Sequence, residues 1–589
     1  MKFRDLLTRK HVAIASAIIV LAIGVGAYFA LRRPPRVEME KYIPGSALAF
    51  IEVANLSDVL DGITDTKAWR EIAPVLGLSS QLRQIGFASD LMGRTGLGPE
   101  EAVVAGRAQY AFALTGIETE TGATDEGAYL HFRLRFALVA ETHSAPERVA
   151  RLVRERASIL AERIYGDATG QETENYLGTE LMIFRGPQPR SQMVAAAAGS
   201  IVLISNHTEA IKSCLDAINN RTATLAENST LQKNRSLVEA DSPVFAFVTQ
   251  AGIETLSKMG PAIVASRLTA DPESINATAN LFGHLSKQAA AGFLYSSEFG
   301  AGGVIEKYLT VLHTDVAAAL AEPLKPAPSA SAESLKLVPS AIEDFTLLNV
   351  REPGELPERV LKELSPRVDI VAGVALREFV LNFQKQLGLT PSDPASKAVG
   401  DEVTLVRFLD EGPMAMLIRV KDRAGILPAV ERYLKQEGAT ISLAQHNATE
   451  IILSSNEDGR AAAFINNYLI LATRDQITSI SDAESSRKTI ADDERFAQVF
   501  EERPAGASMI SYRPEVKDVG EMMLAISRLT RASDGSRELL EQDRMRTALN
   551  RVLPSVSFTE FRDYGIYTET RSAIGNYSLI ATLIGGEQE

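Results

Sequence analysis

Seven histidines, one cysteine and a scatter of acidic pairs are the residues here best suited to chemistry. The histidines are His11, His131, His143, His207, His284, His313 and His446. No two have the HExxH spacing that would set two imidazoles on one helix face beside a glutamate base. Cys214 stands alone, so it can neither close an intrachain disulfide nor supply a thiolate cluster. It lies in Ala210-Ile-Lys-Ser-Cys-Leu-Asp-Ala-Ile218. That spacing predicts a helix in which the thiol is a small buried hydrophobe. Ser485-Ser-Arg-Lys488 matches SxxK but lacks the SDN and KTG companions of acyl-transferring enzymes. Gly96-Leu-Gly98 and Gly300-Ala-Gly-Gly303 have the flexibility of phosphate loops. Neither leads into GK[ST] or opens a βαβ unit, so both read as turns. In the pairs Glu100-Glu101, Asp492-Asp493 and Glu501-Glu502, neighbours on a helix point apart and cannot share a proton. No residue is therefore assigned a catalytic, cofactor-binding or metal-binding role, and no cofactor is expected. An enzyme of unrecognised type stays open, because two carboxylates can act on a glycoside from distant chain positions.

The elements that would carry such residues begin with an apolar run. Val12 to Leu31 reads VAIASAIIVLAIGVGAYFAL, twenty residues without a charge. A helix of that length spans about 30 Å, the hydrocarbon thickness of a bilayer. Lys2, Arg4, Arg9 and Lys10 precede it, Arg32, Arg33 and Arg36 follow, and Pro34-Pro35 ends it. A cleaved signal would have a shorter core and a small-x-small site. The run thus predicts a short N-terminal tail at 1–11 and an uncleaved transmembrane helix at 12–31. The expected location is a bacterial inner membrane, crossed once, with the large domain in the periplasm. The formal net charge of -14 repels phosphate backbones, so nucleic acid is not an expected partner.

Beyond the run, two comparable parts flank a Pro/Ala/Ser linker at 323–334, and 589 residues are too many for one core. Gly199-SIVLISNHTEAIKSCLDAI, then TLAENSTLQKNRSLVE, is echoed by Asn466-NYLILATRDQITSISDAE, then TIADDERFAQVFEE. A shift of about 267 residues relates the two. Gly292-FLYSSEFGAGGVIEKYLTVL and Gly565-IYTETRSAIGNYSLIATLIG each read as a hairpin, about 273 residues apart. A weaker pairing sets Leu97-GPEEAVVAGRAQYAFALTG beside Leu389-TPSDPASKAVGDEVTLVRFLD. Strands are predicted at 47–53, 129–141, 180–185, 200–205, 344–350, 414–421, 449–455 and 467–473. Helices are predicted at 56–63, 69–76, 145–163 and 425–438, with Trp69 on a buried helix face. Successive strands without a helical crossover must be antiparallel neighbours. The fold class is α+β: a transmembrane helix, then two similar repeats, 42–322 and 335–586. Each is a largely antiparallel sheet covered on one face by helices.

Pro44-Gly-Ser-Ala-Leu-Ala-Phe-Ile-Glu-Val-Ala-Asn-Leu56 resembles the opening of DUF3352-type bacterial membrane-anchored proteins. The Leu97-GPEEAV phrase, the GSIVLISN strand and the terminal hairpin are similar too, so the resemblance runs over most of 42–585. It implies this architecture and an N-terminal membrane segment. The family has no assigned activity, so no site residue comes with it. The expected function is a non-enzymatic, membrane-anchored envelope protein with a binding or structural role. Its expected partners are the membrane, through 12–31, and an envelope protein or an apolar ligand. A carrier of a lipid or other apolar ligand is the alternative, since helices on a large sheet can enclose an apolar groove.

Overall fold

The computed structural model describes residues 35–74, 104, 106–124, 127–166, 170–188, 190–238, 242–268, 272–300, 302–328, 332–386, 393–409, 412–435, 438–455, 459–514 and 547–576. The run at 12–31, His11, Gly96–Gly98, Glu100–Glu101 and everything beyond 576 lie outside them. No helix among the described residues is long and apolar enough to cross a membrane.

The first part of the chain runs β1 (Ala49–Val53), α1 (Leu56–Asp65), α2 (Lys67–Ile72), β2 (Gln109–Thr124), β3 (Gly127–Glu141) and α3 (Pro146–Tyr165). It continues through β4 (Gly170–Tyr176), β5 (Thr179–Arg185), β6 (Gln192–Ala198), β7 (Ile201–Ser205), α4 (Thr208–Ile218), α5 (Ser229–Asn234) and β8 (Val244–Thr249). Next come α6 (Gln250–Leu256), α7 (Met259–Leu268), α8 (Pro272–Ala289), β9 (Ala290–Gly300), β10 (Gly303–Leu312) and α9 (Thr314–Ala321). The second part opens with β11 (Asp344–Asn349), α10 (Leu356–Leu364), α11 (Ile370–Gln386), α12 (Ala395–Ala398), β12 (Val399–Arg407), β13 (Ala415–Val420) and α13 (Arg423–Leu434). It closes with β14 (Ile441–His446), β15 (Thr449–Ser454), β16 (Arg460–Ile465), β17 (Tyr468–Thr473), α14 (Arg474–Ser486), α15 (Glu494–Phe500), β18 (Met509–Arg513), β19 (Ser555–Arg562) and β20 (Gly565–Ser572).

The twenty described strands form one sheet, and every pairing among them is antiparallel. From one edge the first part is ordered 4-5-6-7-3-2-1-8-9-10. From the other edge the second part is ordered 14-15-16-17-13-12-11-18-19-20. The sheet arrangement is thus repeated with each strand number advanced by ten, and β10 pairs with β20 at the middle. Ile201–Ser205 and Tyr468–Thr473 hold the same place, each between its hairpin partner and a longer-range neighbour.

The hairpin equivalence differs from the one read from sequence. The hairpin that matches β9–β10 is β19–β20, closed at Arg562↔Gly565 as the first is closed at Gly300↔Gly303. Gly565 therefore corresponds to Gly303, 262 residues earlier, and not to Gly292. The sequence offered two glycines for one role; the deciding feature is backbone conformation. Gly303 has φ +152 and Gly565 has φ +150, where side chains are rarely accommodated. A Cβ on Gly303 would lie 2.0 Å from the carbonyl of Ser572, and one on Gly565 2.0 Å from that of Thr310. Both glycines let the two parts approach across the joint.

Helices cover both faces of the sheet, not one. The reason lies in strands that carry runs of consecutive apolar residues. In β5 and β6, Leu181, Ile183, Val194 and Ala196 pack with Ile211, Cys214 and Leu215 of α4. The alternate residues Met182, Phe184, Met193 and Ala195 pack with Val153, Ala157 and Ala161 of α3. In β17, Tyr468, Ile470 and Ala472 meet Ile477 and Ile480 of α14, while Leu469 and Leu471 meet Ile426, Val430 and Leu434 of α13. Successive side chains point to opposite faces, so a continuous apolar run is buried on both.

Local signals repeat as well. Thr224 and Glu227 form a capping box, and so do Thr489 and Asp492. Asn228 and Asp493 then cap the next helices, and Pro44↔Thr224 is matched by the bridge Pro339↔Thr489. The described part of the linker is tied down: Ala327 N–H donates to Asn349 O at 3.3 Å, and Pro326 bridges to Val350.

Candidate functional site

The densest buried chemistry lies where the chain enters the sheet. β1 reads Ala49-Phe-Ile-Glu-Val53, and strand alternation sends Phe50 and Glu52 to the same face. Phe50 fills the core, and Glu52 is carried in beside it with no exposed surface. A carboxylate so placed needs several donors and a countercharge. Arg36 supplies Nε at 3.2 Å and Nη2 at 3.1 Å to Glu52 Oε1. Gln109 donates Nε2 to the same oxygen at 2.7 Å, and Arg235 Nη2 reaches Oε2 at 3.4 Å. Arg235 also pairs with Glu40 and lies with Cζ 4.7 Å from the Phe245 ring centre. Two carboxylates and two guanidiniums thus balance in one cluster. Burial pushes the Glu40 carboxyl up despite the opposing pull of Arg235.

Several of these contacts converge on one segment. Val37 N–H donates to Gln109 Oε1 at 2.9 Å, and Gln109 Nε2 returns a bond to Val37 O at 2.6 Å. Tyr42 Oη donates to Glu141 at 3.4 Å, and Glu141 is itself held by Ser200 Oγ at 2.9 Å. Residues 36–42 are thereby fastened to β1, β2 and β3. The arrangement can do little acid–base work, because Glu52 is sealed from any substrate and neutralised where it sits. It suits attachment.

The second part fills the matching place differently. Glu402 on β12 accepts the Ser334 N–H at 2.8 Å, and Ser334 Oγ lies 2.6 Å from Thr404 Oγ1. Tyr468 is buried beside Glu402, and its phenol is pushed up first by burial and then by that charge. Eight strands run from β1 through β8, β9, β10, β20, β19 and β18 to β11, each antiparallel to the last. β1 and β11 therefore point in opposite directions. The two polar clusters sit on opposite rims of the sheet.

Comparison with known proteins finds no matching family model, no matching curated protein and no matching solved structure.

The histidines scatter. His207 caps α4, its Nδ1 accepting from Glu209 N–H at 3.2 Å. Desolvation holds its imidazole below the usual range. His284 lies against Asp369, His313 against Lys287 O at 3.0 Å, and His446 against Asp482 at 2.8 Å. His131 lies within β3, and His143 lies two residues past its end. Among the described residues no group of three or more His, Cys, Asp or Glu could hold a metal ion. Cys214 is buried in the core, and burial pushes its thiol up to about 12. Ser485 and Ser486 spend their hydroxyls on Ser481 O and Asp482 O as α14 ends, so SxxK is a helix terminus. Asp492 and Asp493 cap helices, and Glu502 pairs with Arg571. Trp69 packs beside Ala68 and Ile72, as its spacing predicts.

Sequence reading missed Arg36, Glu40, Glu52, Gln109 and Arg235. One signal was present: Glu52 interrupts the buried parity of an otherwise apolar strand. Arg36 was visible only as one of the basic residues flanking the run.

Proposed function

We propose that this chain is a non-enzymatic, membrane-tethered protein of the bacterial envelope whose body is clamped close to the bilayer. The tether is Val12 to Leu31, the body is periplasmic, and its two repeats are 42–322 and 335–586. The observation that carries this reading is the fastening of 36–42 by Glu52, Gln109, Arg235 and Glu141. A body meant to swing freely would leave its tether through a long flexible stretch. Here five residues separate Leu31 from the end of Arg36, at most about 18 Å of extended chain. A buried ion cluster at that point resists pulling better than isolated surface pairs. Such a protein holds a large sheet at a set height above the membrane, as a structural element or a platform for an envelope partner. Duplication of one unit is the simplest origin of the repeated strand order. The resemblance to DUF3352-type proteins points to the same architecture.

The test is fractionation of the full chain. It should sediment with membranes, stay there in high salt, and come free only in detergent or when residues 1–31 are removed. Protease added to osmotically opened cells should digest the body. Full-length chain with an intact N-terminus in the soluble fraction would sink the tether, and a body digested only after lysis would sink the orientation.

A further inference from the structure

We propose that β14 is a self-pairing edge through which two copies of this chain join their sheets. Among the described residues the open sheet of twenty strands has two edges, β4 and β14, and each leaves backbone groups unpaired by a neighbouring described strand. The repeat makes them corresponding strands, so their differences are informative.

Backbone parity comes first. His446 and Thr449 flank a two-residue turn with Asn447 at φ 52. Ser455 N–H donates to Thr440 O at 3.0 Å, so Thr440, Ser442, Ala444 and His446 bond inward to β15. Ile441, Leu443 and Gln445 then turn their N–H and C=O groups outward. By the same reasoning, the turn after Tyr176 leaves Gln171, Thr173 and Asn175 outward on β4.

Side chains decide which edge can pair with itself. Two identical strands meeting antiparallel are related by a two-fold axis, and the residue on the axis meets its own counterpart. An axis at Thr173 would set Glu172 opposite Glu174 of the second copy, twice. Both carboxylates already belong to ion pairs, with Arg185 at 2.9 Å and Lys212 at 2.9 Å. Like charges directly opposite oppose pairing. An axis at Leu443 sets Leu443 on Leu443, Ser442 on Ala444 and Ile441 on Gln445, with no charge among them. Leu443 is 67% exposed, the highest value for a large apolar residue among the strand residues whose burial is described. Pairing covers it.

The molecule already uses this geometry. β10 and β20 are corresponding strands, they pair antiparallel, and Lys307 faces its counterpart Glu569, 262 residues on. Two linked, diverged copies can place opposite charges at that point. Identical strands cannot, and the uncharged Leu443 meets that condition. Such an axis is normal to the sheet, so the copies carry their Arg36 rims at opposite ends. Two copies tethered in one bilayer would then lie with a sheet face along it.

The experiment uses the full-length chain purified in mild detergent. Its native thiol is buried, so single cysteines can be introduced without background. Cα atoms of a hydrogen-bonded antiparallel pair lie about 5.5 Å apart, within disulfide range. Mild oxidation of Leu443→Cys should give a covalent dimer, while Thr173→Cys should give none. Light scattering should show a wild-type dimer whose fraction falls at least tenfold in Leu443→Lys, a substitution the exposed site tolerates. A monomeric wild type, no cross-link from Leu443→Cys, or equal cross-linking from both edges would overturn the proposal.

Discussion

The two rims of the sheet are built on matching strands and do opposite things with them. On the first, β1 brings Glu52 inward, and two arginines and a glutamine close over it. On the second, the corresponding residue of β11 is Leu347, buried in that part's own core, and Glu402 on β12 is met by the Ser334 N–H. One rim is an ion cluster that grips an incoming segment; the other is a core capped by hydroxyls and a single carboxylate. Repetition fixes the frame, and the filling records the work. A charge buried for stability alone is a poor investment, since apolar residues of similar volume serve as well or better. Its presence where the chain leaves the apolar run argues for a mechanical task that the second rim lacks.

The joint between the parts offers the sharpest way to break the comparison. Gly303→Ala and Gly565→Ala should each destabilise the protein strongly, by at least about 1–3 kcal/mol for backbone strain alone. Contact with the facing carbonyl adds to this at both sites. Denaturation midpoints of the two variants should fall together. A large loss at one and none at the other would show that the joint is not symmetric.

A smaller effect separates the strands themselves. Glu306 on β10 is buried against Tyr295 Oη at 2.6 Å, while its counterpart on β20, Thr568, bonds Thr559 at 2.9 Å. Burial pushes the Glu306 carboxyl up, outweighing the hydrogen bonds from Tyr295 and Asn576. The folded state therefore holds the proton more tightly than the unfolded chain. Its contribution to stability falls as pH rises from about 4.5 through the folded value, and the cost stands in full above it. Glu306→Gln should raise the urea midpoint at pH 7 relative to wild type, with the gain vanishing near pH 4. Thr568→Val should cost about 1 kcal/mol at both pH values. A Glu306→Gln variant less stable than wild type at pH 7 would mean that the Tyr295 bond dominates.

Much of this frame was legible in residue patterns. The strand at Ile201 and its echo at Tyr468 stood out because each is a short apolar run closed by a polar turn and a capped helix. Those signals are local, so they survive without knowledge of the fold. Helices on both faces were harder to see. Met193-Val-Ala-Ala-Ala-Ala198 forms a buried strand that the sequence patterns did not mark, and only its neighbours decide whether one face or both are covered. The hairpin was misplaced because glycine frequency does not reveal φ. The rim cluster was hidden for a different reason: Arg36, Glu52, Gln109 and Arg235 are brought together from distant positions by strand pairing.

The central claim is that residues 36–42 are part of the body. Hydrogen exchange of the full-length chain in detergent, followed by mass spectrometry, tests it most directly. In the wild type the Val37 amide and the 36–42 peptide should exchange as slowly as the β1 and β2 peptides. In Glu52→Ala, where two half-buried guanidiniums lose their shared partner, that protection should collapse. The 334–340 peptide on the opposite rim should be unchanged. A wild-type 36–42 peptide that exchanges at the rate of an open chain would contradict the account.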